Sequence, residues 1–131
     1  MITLEMIVEK YQCQIYTKGI YNPHKEIRFG FCSDLMSDAL MIMNTVREEG
    51  ILEDTLLITG LATNQSIRTA EMLDVEVILL VRGKIPAEQV KELAEESNII
   101  LLGTELTMFN TSGLLYLEGI RGISAKHNVL Q

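Results

Sequence analysis

The segment TLLITGLATNQS, residues 55–66, constrains this chain more than any other. A continuously apolar run ends at Thr59 and Gly60, crosses a short polar loop and opens a helix near Asn64. Apolar runs without polar alternation suit strands whose sheet is covered by helices on both faces. The same plan recurs in VEVILLVRGKIPAE, residues 75–88, and in IILLGTEL, residues 99–106. Three strand–turn–helix units in a row predict an α/β fold, a three-layer domain with a mainly parallel central sheet flanked by helices. Such strands bring their carboxyl ends, and the polar turns that follow them, to one edge of the sheet.

The flanking elements follow from local patterns. Thr3 is placed to cap a first helix with Leu4, Ile7, Val8 and Tyr11 on one face. In QCQIYTK, residues 12–18, Cys13, Ile15 and Thr17 alternate with polar neighbours as a strand does. Asn22-Pro23 marks a turn, and a second alternating run puts Ile27, Phe29 and Phe31 on one side. Ser33 or Asp34 then begins the longest helix, which runs to about Glu49 and is stopped by Gly50. Its apolar stripe is Leu35, Ala39, Ile42, Met43 and Val46, with Met36 and Met41 beside it.

Further helices are expected over residues 65–73 and from Pro86, the latter ended by Asn98. Its outer residues, Lys91, Glu92, Glu95 and Glu96, form a solvated face. A last helix is expected from a cap at Thr104, through Phe109, to about Leu117. Residues 1–131 thus make a single domain, with 118–131 a C-terminal tail that wraps over the domain or over a partner subunit.

Composition limits the partners. A net charge of −7 excludes broad contact with the phosphate backbone of a nucleic acid polymer, though not one bound phosphate or nucleotide. The longest apolar run, residues 77–81, is far too short to span a membrane, and Met1 leads straight into a periodic helix. The two cysteines, Cys13 and Cys32, form no C-x-x-C pair and read as packed, reduced thiols of a cytoplasmic protein. With two distant histidines they make no metal motif, so neither metal nor cofactor is expected.

Candidate ligand-binding residues are those of the three turns: Thr59, Gly60, Thr63 and Asn64; Arg82 and Gly83, with Lys84; Gly103 and Thr104. Glycine permits close backbone approach, hydroxyls and amides orient a ligand, and the basic residues neutralise an anion. No GxGxxG or GxxxxGK[ST] loop is present, which argues against a dinucleotide-binding dehydrogenase or a P-loop kinase. His24 and His127 stand in no triad spacing, and Glu105 and Asp34 read as helix caps. No catalytic residue is assigned.

At these same turns the chain resembles the DRTGG domain family, relatives in fold of the N-terminal domain of HPr kinase/phosphorylase. The likeness extends from the first helix to about Ile120 and rests on LLITG at 56–60, VILLVRGKIPAE at 77–88 and LLGTELTMFNTSGLLYLEGI at 101–120. In the last segment Thr104, Glu105, Phe109, Gly113, Leu115 and Tyr116 match the pattern of short stand-alone members. The residues that name the family are mostly absent: Ala62-Thr63 stands where Asp-Arg is common, and Val81-Arg82-Gly83 where Thr-Gly-Gly is. The resemblance implies a regulatory role, because family domains occur with CBS pairs and phosphate acetyltransferases. It also implies an association with iron-only hydrogenases, hence a redox-complex partner protein.

Together these features lead to a non-catalytic regulatory or ligand-sensing domain that binds an anionic metabolite or nucleotide at the strand ends. The alternative is a protein-interaction or adaptor subunit, hydrogenase-associated, with no small-molecule ligand. A homodimer is expected from the methionine-rich helix and the apolar residues Leu114, Leu115, Tyr116, Leu117, Ile120 and Ile123.

Overall fold

The computed structural model describes residues 1–123. A short ladder comes first: β1 (Ile2–Thr3) pairs antiparallel with β3 (Glu26–Ile27). Between them lie helix α1 (Leu4–Lys10) and strand β2 (Gln14–Ile15). Thr3 caps α1 as the sequence implies, its Oγ1 accepting from the Met6 N–H. Then follow β4 (Phe29–Cys32), α2 (Met36–Asn44), β5 (Thr55–Thr59), α3 (Asn64–Leu73), β6 (Val77–Leu80), α4 (Glu88–Glu96), β7 (Ile100–Gly103), α5 (Met108–Leu117) and β8 (Arg121–Gly122).

The main sheet has the order β2-β7-β6-β5-β4-β8. All neighbours are parallel except β2, which runs antiparallel to β7 at the edge. The chain steps from β4 to β5, β6 and β7 in one direction, so right-handed crossovers put α2, α3 and α4 on one face. It then returns from β7 to the far side of β4, and the same rule puts α5 on the opposite face with α1. The two cores show this division. Leu57, Ile78, Leu80 and Leu101 pack with Met43, Ile67, Leu73 and Ala94, whereas Leu56, Ile58, Leu79 and Leu102 pack with Leu4, Ile7 and Leu115. The fold is the three-layer α/β arrangement that the apolar runs imply.

Several boundaries differ from the sequence pattern. The long helix is only Met36–Asn44, followed by a tight turn of 3₁₀ helix at Arg47–Glu49 that Gly50 closes in the left-handed conformation. Leu35 lies at the N-cap and is exposed, while Met36 is buried beside Ala39, Met43 and Val46. The buried stripe keeps Ala39, Met43 and Val46 of the expected set, but Met36 replaces Leu35, which precedes the first helical turn. Ile27 and Phe31 do not share a face either. Arg28 donates its N–H to the Asp54 carbonyl and separates β3 from β4, so Ile27 joins the α1 core and Phe31 the α2 core.

At the C-terminal end, the cap of α5 is Thr107, whose Oγ1 accepts from the Asn110 N–H, rather than Thr104. The tail begins by folding back on the domain, because β8 pairs with Phe29 and Gly30 of β4. Residues 124–131, with His127, lie outside the described part of the chain.

Candidate functional site

The carboxyl ends of β5, β6 and β7 do form a common edge, and its polar groups are heavily cross-linked. The Gly60 N–H donates to Asp34 Oδ1 at 2.6 Å, and Thr59 Oγ1 reaches the same oxygen at 3.4 Å. Arg82 Nη1 stands 3.2 Å from Asp34 Oδ2. Its guanidinium lies over the Gly60 Cα, in the space that a Cβ would occupy. A side chain at position 60 would therefore displace Arg82. Asp34, read from sequence as a cap, instead joins the turns after β5 and β6.

This joining has an electrostatic consequence. The Gly60 N–H, and after it the Arg82 guanidinium, hold the Asp34 carboxyl below its ordinary value against a smaller opposing effect of burial. The folded chain thus favours the carboxylate, so this contribution to stability is present above the unfolded-state pKa and lost as pH falls through the lower folded value. In a ¹³C NMR titration, Asp34 is expected to titrate below the ordinary carboxylate range. Arg82→Ala should raise its pKa only part of the way, because the Gly60 N–H remains.

The turn after β6 is a hairpin-like bend. Arg82 and Gly83 both have positive φ, 62° and 66°, and the Lys84 N–H returns to the Val81 carbonyl. A left-handed arginine costs on the order of 1 kcal/mol, and its backbone is held there by the Arg82 N–H donated to Leu106 O at 2.8 Å. The Gly83 N–H likewise donates to Thr104 O at 2.9 Å. These amides are therefore spent within the chain and are not free to hold an anion. Thr104 is similarly engaged: Oγ1 donates to the Tyr11 carbonyl and accepts from the Leu106 N–H.

A cleft of about 330 Å³ opens beside this bend, between β2 and the ends of β6 and β7. Its walls include Gln12, Gln14, Tyr16, Lys84 and Glu105, together with Gly83, Gly103 and Thr104. Of the residues proposed from sequence, Gly83, Lys84, Gly103 and Thr104 reach this cleft; Thr59, Gly60, Thr63, Asn64 and Arg82 do not line it. Thr63 and Asn64 are exposed at the start of α3, where Thr63 holds the N-cap position without a side-chain capping bond.

Tyr16 shapes the cleft by contact with Gly103, where a Cβ would fall 2.6 Å from the ring. Burial, and then the nearby Glu105 carboxylate, raise the Tyr16 pKa, so its hydroxyl keeps its proton at neutral pH. Lys84 has no carboxylate partner among the described residues. The cleft thus offers an ammonium, a carboxylate, two amides and a phenol. Periodicity could not have found Gln12, Gln14 or Tyr16, because only the antiparallel pairing of β2 with β7 brings them here.

A second cavity, about 300 Å³, lies where the strand order turns back, between β4, β8 and α5. Its walls are mainly apolar: Phe31, Ile58, Leu115, Ile120 and Ile123, with Cys32 and Ser112 in contact at 3.2 Å. Burial raises the pKa of the Cys32 thiol and pushes that of Cys13 up to about 12, so both are protonated at neutral pH. Arg121, the cation of this cavity, donates to the Tyr116 and Ile120 carbonyls and stacks on Tyr116. Among the described residues no cluster of three or more His, Cys, Asp or Glu side chains is placed to hold a metal, and no helix is long and apolar enough to cross a membrane.

Comparison with solved structures adds one observation. The chain is similar to the CBS and DRTGG domains of the regulatory region of Clostridium perfringens pyrophosphatase, a structure complexed with its activator diadenosine tetraphosphate, at a TM-score of 0.62. Identity is 19%, over 97% of this chain and 52% of the other. The fold is DRTGG-related. The chain spans about half the length of that neighbour. No family model matches the sequence, and no curated protein matches it.

Proposed function

We propose that this chain is a non-catalytic regulatory domain that senses an anionic metabolite of the nucleotide class in the cleft beside Tyr16, Lys84 and Glu105. The carrying observation is the mixed chemistry of that cleft, with an ammonium not paired to a carboxylate among the described residues. Lys84 suits a phosphate, and Glu105 accepts from hydroxyl or amino groups of the same ligand. The Gln12 and Gln14 amides match either edge of a base. Glu105 disfavours a ligand that is anionic throughout. A volume of about 330 Å³ is at the small end of ligand pockets, enough for one mononucleotide unit. That the neighbouring regulatory region is complexed with a dinucleotide activator supports the same class.

Titration calorimetry with AMP, ADP, ATP and diadenosine tetraphosphate tests this. Binding of at least one is expected, weakened about tenfold or more by Lys84→Ala and unchanged by the remote substitution Lys10→Ala. Absence of heat with all four would remove the proposal. A second reading, an interaction or adaptor subunit that meets a redox partner, is favoured by the uncovered apolar face of α5. Loss of partner capture on changing that face, with nucleotide binding absent, would support it instead.

A further inference from the structure

The outer face of α5 is apolar and uncovered. Phe109 is 85% exposed, Leu117 84% and Tyr116 59%, on the side of the helix opposite the buried Thr111 and Leu115, with Leu114, 41% exposed, at its flank. Large apolar side chains this exposed, gathered on one helix, mark an interaction surface rather than scattered surface residues. Gly113 lies at the middle of this face, and a Cβ there would meet nothing within 4 Å. It leaves a notch between Phe109 and Leu117.

We propose that α5 is the interface of a homodimer, two copies crossing antiparallel at Gly113. The spacing is self-complementary. Phe109 precedes Gly113 by four residues and Leu117 follows it by four. A two-fold axis at the glycine therefore sets Phe109 of one copy against the partner's Leu117, and the reverse, as an isologous contact requires. The small residue at the crossing lets the helices approach closely.

Charge favours a second copy over a partner of opposite charge. The helix MFNTSGLLYL carries no ionisable group except the Tyr116 phenol, in a chain whose net charge is −7. Two such acidic chains meet at least cost through a helix without carboxylates, with only the Arg121 guanidinium stacked on Tyr116 at its edge, whereas a basic partner would seek the carboxylates elsewhere. The exposed side chains offer on the order of 500 Å² per copy, about 1,000 Å² for the pair, which is the least a biological interface needs and the size of a weak, concentration-dependent dimer.

Concentration-dependent light scattering and sedimentation of the whole chain test the pairing. A mass twice that of one chain is expected, reverting to one chain in Phe109→Glu and in Gly113→Leu. The latter has open space around the new side chain in the monomer, so circular dichroism should show it folded. Under mild oxidation Gly113→Cys should cross-link to itself, while Phe109→Cys should cross-link only when combined with Leu117→Cys. A wild-type mass of one chain at all concentrations would overturn the proposal. So would a dimer that survives both disruptive substitutions, or efficient self-cross-linking of Phe109→Cys alone, which would mean a parallel pair. None of these outcomes depends on nucleotide binding.

Discussion

Leu57→Ala is expected to cost about 2–5 kcal/mol of folding stability, a large part of what a domain of this size holds. Leu57 sits in β5, with parallel partners β4 and β6 on either side, and is fully buried against the α2–α3 layer. Truncation removes apolar burial and leaves a cavity between sheet and helices that strands held on both sides close poorly. Urea unfolding should show a lower midpoint with an unchanged slope. Leu117→Ala offers the contrast at the same residue type. Its side chain lies on the exposed face of α5, so at concentrations where the chain is monomeric the change should stay within about 0.5 kcal/mol.

Gly103→Ala is the second large effect, and it acts on stability and the cleft together. The added Cβ would lie 2.6 Å from the Tyr16 ring and 3.2 Å from its hydroxyl oxygen. Gly103 is held between Leu80 of β6 and Gln14 of β2, so the strand cannot move away without breaking pairing. The ring must shift into the cleft, or β2 must lift from β7. Overpacking of this kind costs about 1–3 kcal/mol, and any nucleotide affinity should fall tenfold or more. In a Tyr16→Ala background the stability cost should disappear, since the two substitutions share one contact. Thermal melts of the four variants in that cycle measure the coupling directly. Equal costs in both backgrounds would show that Tyr16 does not set the requirement for glycine.

How much of this was legible in the residues can be argued element by element. Leu56, Leu57 and Ile58, and Val77 to Leu80, specify buried parallel strands because they carry no polar alternation, and they form β5 and β6. Gly50 and Asn98 mark helix ends by their tolerance of positive φ, which both adopt. Helix starts were less legible. Ser33, Asp34 and Thr104 are all good caps, yet Ser33 Oγ accepts from the Leu35 N–H in the loop, Asp34 turns to Gly60 and Arg82, and Thr104 turns to Tyr11. For Asp34 and Thr104, long-range partners at separations of 26 to 93 residues decided the outcome, and no local pattern encodes them. For the same reason the turns could be assigned to one edge, whereas the walls of the cleft could not. Gln12, Gln14 and Tyr16 arrive there through an antiparallel strand that the β-turn-α plan does not contain.

The exposed α5 face shows a different limit. Leu114 to Leu117 reads as apolar along its whole length, and only the fold separates buried Leu115 from exposed Leu114, Tyr116 and Leu117. The sequence pointed to association, partly through the methionine-rich helix. In the structure Met36 and Met43 are core residues of one chain, which leaves α5 as the larger uncovered surface.

The most direct measurement is an amide ¹H–¹⁵N titration of the whole chain with the same four nucleotides. The account expects shift changes concentrated at Gln12, Tyr16, Gly83, Lys84, Gly103 and Glu105, with the α5 face unaffected. Changes centred instead on Cys32, Ser112 and Arg121 would place the ligand in the cavity beside β8. That result, or a spectrum unmoved by every nucleotide, would contradict a sensing cleft at the ends of β6 and β7.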